Sequence, residues 1–302
     1  MCVVMHIPAS EPSQLATILQ RRCAMSVAAA VDGEALLAGR VYVGTPNHHL
    51  MVHPDEVRVT FGPKECDARP SVDVLFRSAA AAQGARVIGV VLSGALDDGT
   101  AGAWAIKDRG GRILIEDPAT ARFPSMPDSV ARHVAVDAAL PAALLAQRIV
   151  EYVRSLQPVP NPEIPHQMQL ENRIAREGVG LDGGVLSLGP VSKLACPECH
   201  GVMVELRDGA TVRYRCHTGH AYSKLSLLGE IEASIHASLW QAVRATDERV
   251  LLLREMAGEA AALGQEDVAL RYGAMATLAA ERLQPLRAVA SDRSFSAGAG
   301  LG

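Results

Sequence analysis

Residues 86–117 constrain the fold more than any other stretch. RVIGVVLSG (86–94) is an apolar, β-branched run closed by glycine, and it reads as a strand buried on both faces. A polar turn, Asp97-Asp98-Gly99, follows. AGAWAIKDRGG (101–111) then has helical composition and a Gly stop, and RILIED (112–117) is again a strand. Two apolar strands joined through a helix cannot form a hairpin. They lie parallel, with the helix as the crossover. The same alternation runs through the first half. CVVMH (2–6) and RVYVGT (40–45) read as strands, and HHLMV (49–53) with VRVTF (57–61) as a small antiparallel addition. The stretch from Glu11 to Arg22, VDVLFRSAAAAQ (72–83) and residues 137–156 read as helices. Only 4% of the chain is aromatic, so Ala, Val, Leu and Gly must fill its cores. The expected class is α/β, a doubly wound, mostly parallel, Rossmann-like sheet with helices on both faces.

That pattern ends in SLQPVPNPEIP (155–165), which holds four prolines in eleven residues, a linker composition. Residues 156–193 are therefore read as a linker after a first domain of 1–155. A small zinc-ribbon-like segment (194–223) comes next, then an α-helical hairpin (224–292) broken near Gly264, and a disordered tail (293–302).

The zinc reading rests on spacing. Cys196-Pro-Glu-Cys199 and Cys216-His217-Thr-Gly-His220 are separated by sixteen residues. The spacer alternates around Asp208-Gly209, a hairpin turn signal. Knuckles joined by a hairpin suit a tetrahedral Zn²⁺ site. The expected ligands are Cys196, Cys199, Cys216 and His220, with His217 as the rival fourth ligand and His200 a weaker one. Four protein ligands make a closed, structural site, so the metal is assigned no part in catalysis.

The net charge of −4 gives no basic footprint for nucleic acid. No apolar run reaches the ~20 residues of a membrane span, and MCVVMHIPAS lacks the basic start and long apolar stretch of a signal peptide. The expectation is a cytoplasmic protein without membrane insertion, whose clustered cysteines hold metal rather than disulfides.

Three separated stretches, in order and spacing, resemble the catalytic domain of the chemotaxis protein-glutamate methylesterases. They are VVMHIPAS, GRVYVGTPNHHLMV with RPSVDVLFRSAA, and GVVLSGALDDGTAGAWAIKDRGGRILIEDPATARFPSMP. The resemblance implies hydrolysis of glutamate methyl esters on chemoreceptors by a Ser–His–Asp triad. Met5-His6-Ile7-Pro8 matches the motif of the family's base, so His6 takes that role. Gly94-Ala95-Leu96-Asp97-Asp98-Gly99 matches the acid loop, and register selects Asp98 over Asp97. The backbone N–H of Ala95 is a candidate oxyanion donor. His49 matches a position near the cleft, though a solvated loop histidine reads equally well. The C-terminal segment resembles extensions on some methylesterase-like proteins.

The family's nucleophile lies in a Gly-Ala-Ser-x-Gly-Gly turn ahead of the histidine, and this sequence starts five residues before His6. Ser10 and Ser93 do not replace it. Cys66-Asp67-Ala68 stands where the family often has Asn-Arg-His. The expectation is a domain truncated before its first strand and inactive as written. A non-catalytic adaptor is the alternative.

Overall fold

The computed structural model describes the chain except Glu11, residues 157–161, Ala210 and residues 293–302. The expected tail, and the centre of the proline-rich stretch, lie outside the described residues. The first half runs β1 (Cys2–Val3), α1 (Leu15–Gln20), β2 (Ser26–Ala29), β3 (Glu34–Ala35), β4 (Arg40–Val43), β5 (His49–Val52), β6 (Glu56–Thr60), α2 (Val72–Gln83), β7 (Ile88–Val91), α3 (Thr100–Asp108), β8 (Arg112–Glu116), α4 (Ser125–His133), β9 (Ala138–Leu140) and α5 (Ala142–Ser155). There follow α6 (His166–Glu177), β10 (Val191–Ala195), β11 (Val202–Asp208), β12 (Thr211–Cys216), β13 (Ala221–Ser223), α7 (Lys224–Ala262) and α8 (Glu266–Ala290). Residues Met1–Leu227 form one compact unit, and a second begins at Leu228. No helix among the described residues is long and apolar enough to cross a membrane.

The strands of the α/β region are parallel, but they make two sheets rather than the single one expected. One has the order β1-β4-β2 and the other β7-β8-β9. β1 pairs with β4 through only two residues, and β7 pairs with β8, so one long edge of each strand lacks a strand partner among the described residues. Between those edges lies a cavity of about 440 Å³, lined by residues that include Met1, Cys2, Phe76, Ile88 and Gly89. The antiparallel addition is present as β3-β6-β5.

Side-chain alternation covers both faces with helices. Val41 and Val43 of β4 pack with Val27 against Leu15 and Leu19 of α1. Tyr42, between them, enters the main core beside Ile106, Ile113, Ile115 and Phe76. Its hydroxyl is satisfied there, accepting from Leu37 N at 2.8 Å and donating to Ala35 O at 2.6 Å.

The stretch read as a linker is largely folded. α6 buries Met168, Glu171, Ile174 and Ala175 on one face, and Leu170 and Ile174 join Val204 and Leu206 in a second core. A glutamate in the buried stripe hides the period in the sequence. It is buried because it is paired. Glu171 accepts two bonds from Arg213, at 3.0 and 3.1 Å, and one from Arg215 at 2.8 Å. Arg215 also reaches Glu65 at 2.7 Å, Arg77 binds Glu65 through two bonds, and Arg213 binds Asp208. Burial alone would raise the Glu65 carboxyl, but Arg215 and Arg77 outweigh it and hold it at about 2. This network ties β12 to α2, α6 and the Glu65 segment.

β11 and β12 form the expected hairpin, closing at Asp208↔Thr211, with β10 and β13 on its flanks. In the second unit, α7 and α8 pack through Val250 and Leu253 against Ala276 and Ala279. Gly264, at φ +72°, lies between the two helices.

Candidate active site and cysteine cluster

His6 follows β1 and Asp98 follows β7, so the two outer strands deliver them to the same, carboxyl-terminal end of the sheets. His6 Nε2 and Asp98 Oδ2 are 2.7 Å apart. The histidine side chain is 39% exposed and the aspartate 2%. The contact uses Nε2, which leaves Nδ1 as the ring nitrogen able to accept a proton. The bond to Asp98 raises the His6 pKa above its ordinary value, against the opposing effect of burial.

Asp98 is held by the start of α2. Its oxygens accept from Ser71 Oγ at 2.9 Å, Val72 N at 2.7 Å and Asp73 N at 3.0 Å, besides His6. These include leading N–H groups of a helix, which have no partner within it. The Asp73 carboxylate accepts Gly102 N, in the first turn of α3, at 2.6 Å. Burial, then the charge of Asp98, pushes Asp73 well above the carboxylate range. The two helices approach closely enough that a Cβ on Gly102 would lie 2.6 Å from Phe76 Cβ.

Asp97 has a different partner, accepting Ser223 Oγ at 2.7 Å. Ala95 is exposed in the same turn. His49 is fully buried at the start of β5 rather than in a solvated loop. It donates through Nε2 to Pro63 O at 2.9 Å and accepts Ser71 N on Nδ1 at 3.3 Å, and burial lowers its pKa. It therefore braces Ser71, which in turn holds Asp98. Cys66, at a left-handed φ of +52°, is buried with its sulfur 3.8 Å from Asp73 Oδ2. The buried Ser71 hydroxyl donates to Asp98 and not to His6, Ser93 Oγ accepts Phe123 N, and Ser10 is exposed. The supports at Ser71, Val72 and Asp73 escaped the sequence reading, although Ser71 before an apolar helix with Asp73 in its first turn is a start signal.

The second cluster sits where β10, β12 and the turn before β13 meet. The ligand atoms of Cys196, Cys199, Cys216 and His220 all lie within 4.8 Å of one another. Cys199 Sγ is 3.6 Å from Cys216 Sγ. His220 Nδ1 is 3.7 Å from Cys196 Sγ and 3.5 Å from Cys216 Sγ. His217 lies outside the group, its ring so close to Gly201 that a Cβ there would be 1.7 Å from it. His200 is outside it too, on the knuckle at φ +58°.

The CheB methylesterase family profile matches residues 1–149. A protein-glutamate methylesterase/protein-glutamine glutaminase 2 of Methanosarcina mazei is 35% identical over 160 residues, 50% of this chain and 44% of its own length. A putative protein-glutamate methylesterase/protein-glutamine glutaminase of Leptospira interrogans is 34% identical over 149 residues, 49% of this chain and 77% of its own length. The solved catalytic domain of the CheB methylesterase of Thermotoga maritima shares 31% identity, with a TM-score of 0.49 over 50% of this chain and 82% of that one. The chain thus spans less than half of the Methanosarcina protein but more than three quarters of the Leptospira one, a third of it identical, and it belongs to the CheB methylesterase family.

Proposed function

We propose that the α/β region is the acid–base part of a protein-glutamate methylesterase acting on methylated chemoreceptors. The observation that carries this reading is the His6–Asp98 contact, 2.7 Å long, with the aspartate fixed by three further donors. In this reading a serine hydroxyl attacks the ester carbonyl while His6 Nδ1 takes its proton. Asp98 holds the ring and stabilises its charged form. The proton then passes to departing methanol, and water releases glutamate from the acyl-serine by the same route. The names of the relatives add glutamine deamidation, the same acyl transfer with ammonia as the leaving group.

The cavity between β1 and β7 supports a source for the serine. An extended segment seated there, parallel to both strands, would join the two sheets and end beside His6 and Asp98. The nucleophile is accordingly assigned to such a segment, outside the sequence described. The buried Ser71, turned toward Asp98, favours the alternative of a non-catalytic adaptor if no such segment exists.

Methanol release from methylated receptor decides between them. The chain as described should give none. The chain extended by an upstream Gly-Ala-Ser-x-Gly-Gly segment should give turnover that falls by about 10⁴ in Asp98→Asn and only a few-fold in Asp97→Asn. A soluble extended protein that remains inert would replace the enzyme with the adaptor.

A further inference from the structure

The cysteine–histidine cluster and the His6–Asp98 pair are connected through a short stretch of backbone. His220 is followed directly by Ala221, whose N–H donates to Lys64 O at 3.1 Å and whose carbonyl accepts Cys66 N at 2.8 Å. Two residues on, Ser223 Oγ donates to Asp97, the neighbour of Asp98. Arg215 adds a third link, binding Gly219 O inside the Cys216–His220 knuckle at 2.8 Å and Glu65 at 2.7 Å. The segment that runs on from His220 thus grips both the 64–66 strip, whose Cys66 touches Asp73, and the turn that carries Asp98.

The cluster has the dimensions of a tetrahedral zinc site. Zn–S bonds of about 2.3 Å and Zn–N bonds of about 2.0–2.1 Å place two sulfurs about 3.8 Å apart and a sulfur and a nitrogen about 3.6 Å apart. The separations are 3.6, 3.7 and 3.5 Å. A disulfide would need about 2.0 Å. Glu198 Oε1 lies 3.5 Å from His220 Nε2, the outer carboxylate that commonly orients a metal-bound imidazole.

We propose that Cys196, Cys199, Cys216 and His220 bind one Zn²⁺ and that the metal is a positioning element for the His6–Asp98 pair. It fixes the 216–223 segment, which through Ala221 and Ser223 fixes the 64–66 strip and the Asp97–Asp98 turn. With the metal gone, the knuckle loses its cross-link and the turn loses its outer anchor. The proposal does not depend on what the pair acts upon, and an inert esterase would leave it standing.

The test uses the full chain with Zn²⁺ and Co²⁺ as probes. The purified protein should hold about one zinc. Co²⁺ should give the intense visible bands of a tetrahedral thiolate site, lost in Cys199→Ser and kept in Cys23→Ser. The ring ¹⁵N–¹H correlations of His6 should shift when the metal is chelated. Ser223→Ala should keep its zinc yet show much of that shift already in the metal-bound state, and Ser223→Thr, which retains a hydroxyl, should restore the original signal. The Ser223 variants keep the test open if the metal-free chain unfolds. A folded chain with far less than one zinc overturns the site. His6 signals unmoved both by chelation and by Ser223→Ala overturn the positioning role.

Discussion

Asp73 and Asp98 each accept a leading backbone N–H of the other's helix. Asp98, in the turn that starts α3, takes the N–H groups of Val72 and Asp73, and Asp73 takes that of Gly102. The acid that orients His6 is thereby part of the packing between α2 and α3, and of the two carboxyls only Asp98 also meets an imidazole.

Burial, then the charge of Asp98, raises the Asp73 carboxyl, so folding disfavours its charged form. Asp73→Asn should therefore cost little, within about 1 kcal/mol, whereas Asp73→Ala should cost about 1–3 kcal/mol by leaving Gly102 N unpaired. A group whose pKa is raised on folding stabilises at low pH and loses that contribution as pH climbs through the folded value. Urea unfolding against pH should show this decline in the parent and a flatter curve in Asp73→Asn.

His6 should titrate above the ordinary histidine value of about 6.5, because the bond to Asp98 favours the charged ring. Its contribution to stability is present below the ordinary value and fades as pH rises through the raised one. Any hydrolysis that needs the neutral ring should climb over the same interval. NMR titration checks the value, and Asp98→Asn should bring it down. A His6 pKa indifferent to that substitution would mean the contact does not persist in solution.

Gly102→Ala should destabilise by about 1–3 kcal/mol, since the new methyl group meets Phe76 Cβ at 2.6 Å and Asp73 Cα at 3.0 Å. Gly229→Ala, in α7 with nothing within 4 Å, should instead stabilise by up to about 1 kcal/mol. Thermal unfolding of the two variants gives opposite signs if the close crossing is real.

Arg215→Met should lower stability by about 3–5 kcal/mol, because Glu65 and Glu171 are left buried without one of their cations. Arg244→Ala, which breaks an exposed pair with Glu248, should change it by less than about 0.5 kcal/mol. Chemical denaturation of both variants makes the comparison.

Local pattern made much of this legible. RVIGVVLSG and RILIED are β7 and β8 because a β-branched run between turn signals has few alternatives, and DG at 208–209 marks the hairpin. What stayed hidden depended on partners distant in sequence. α6 was obscured because its buried stripe includes Glu171, whose cations lie on β12. The short β9 was absorbed into the helix that follows it. Within the site, His6 and Asp98 could be named from motif register, but the hands that hold Asp98 could not. Ser71 and His49 act there through contacts 27 and 22 residues long, and no periodicity reports these. Nor did spacing alone choose between His217 and His220. In the structure the His217 ring packs beside Gly201, and His220 is the histidine grouped with the three cysteines.

The interior charges at 65, 77, 171, 208, 213 and 215 balance, three acids against three arginines. Hydration of ions becomes less favourable on warming, so the penalty for keeping such groups dry shrinks while apolar burial levels off. The joint between β12 and its neighbours should therefore hold a growing share of the stability as temperature rises, and the deficit of Arg215→Met should widen with heating.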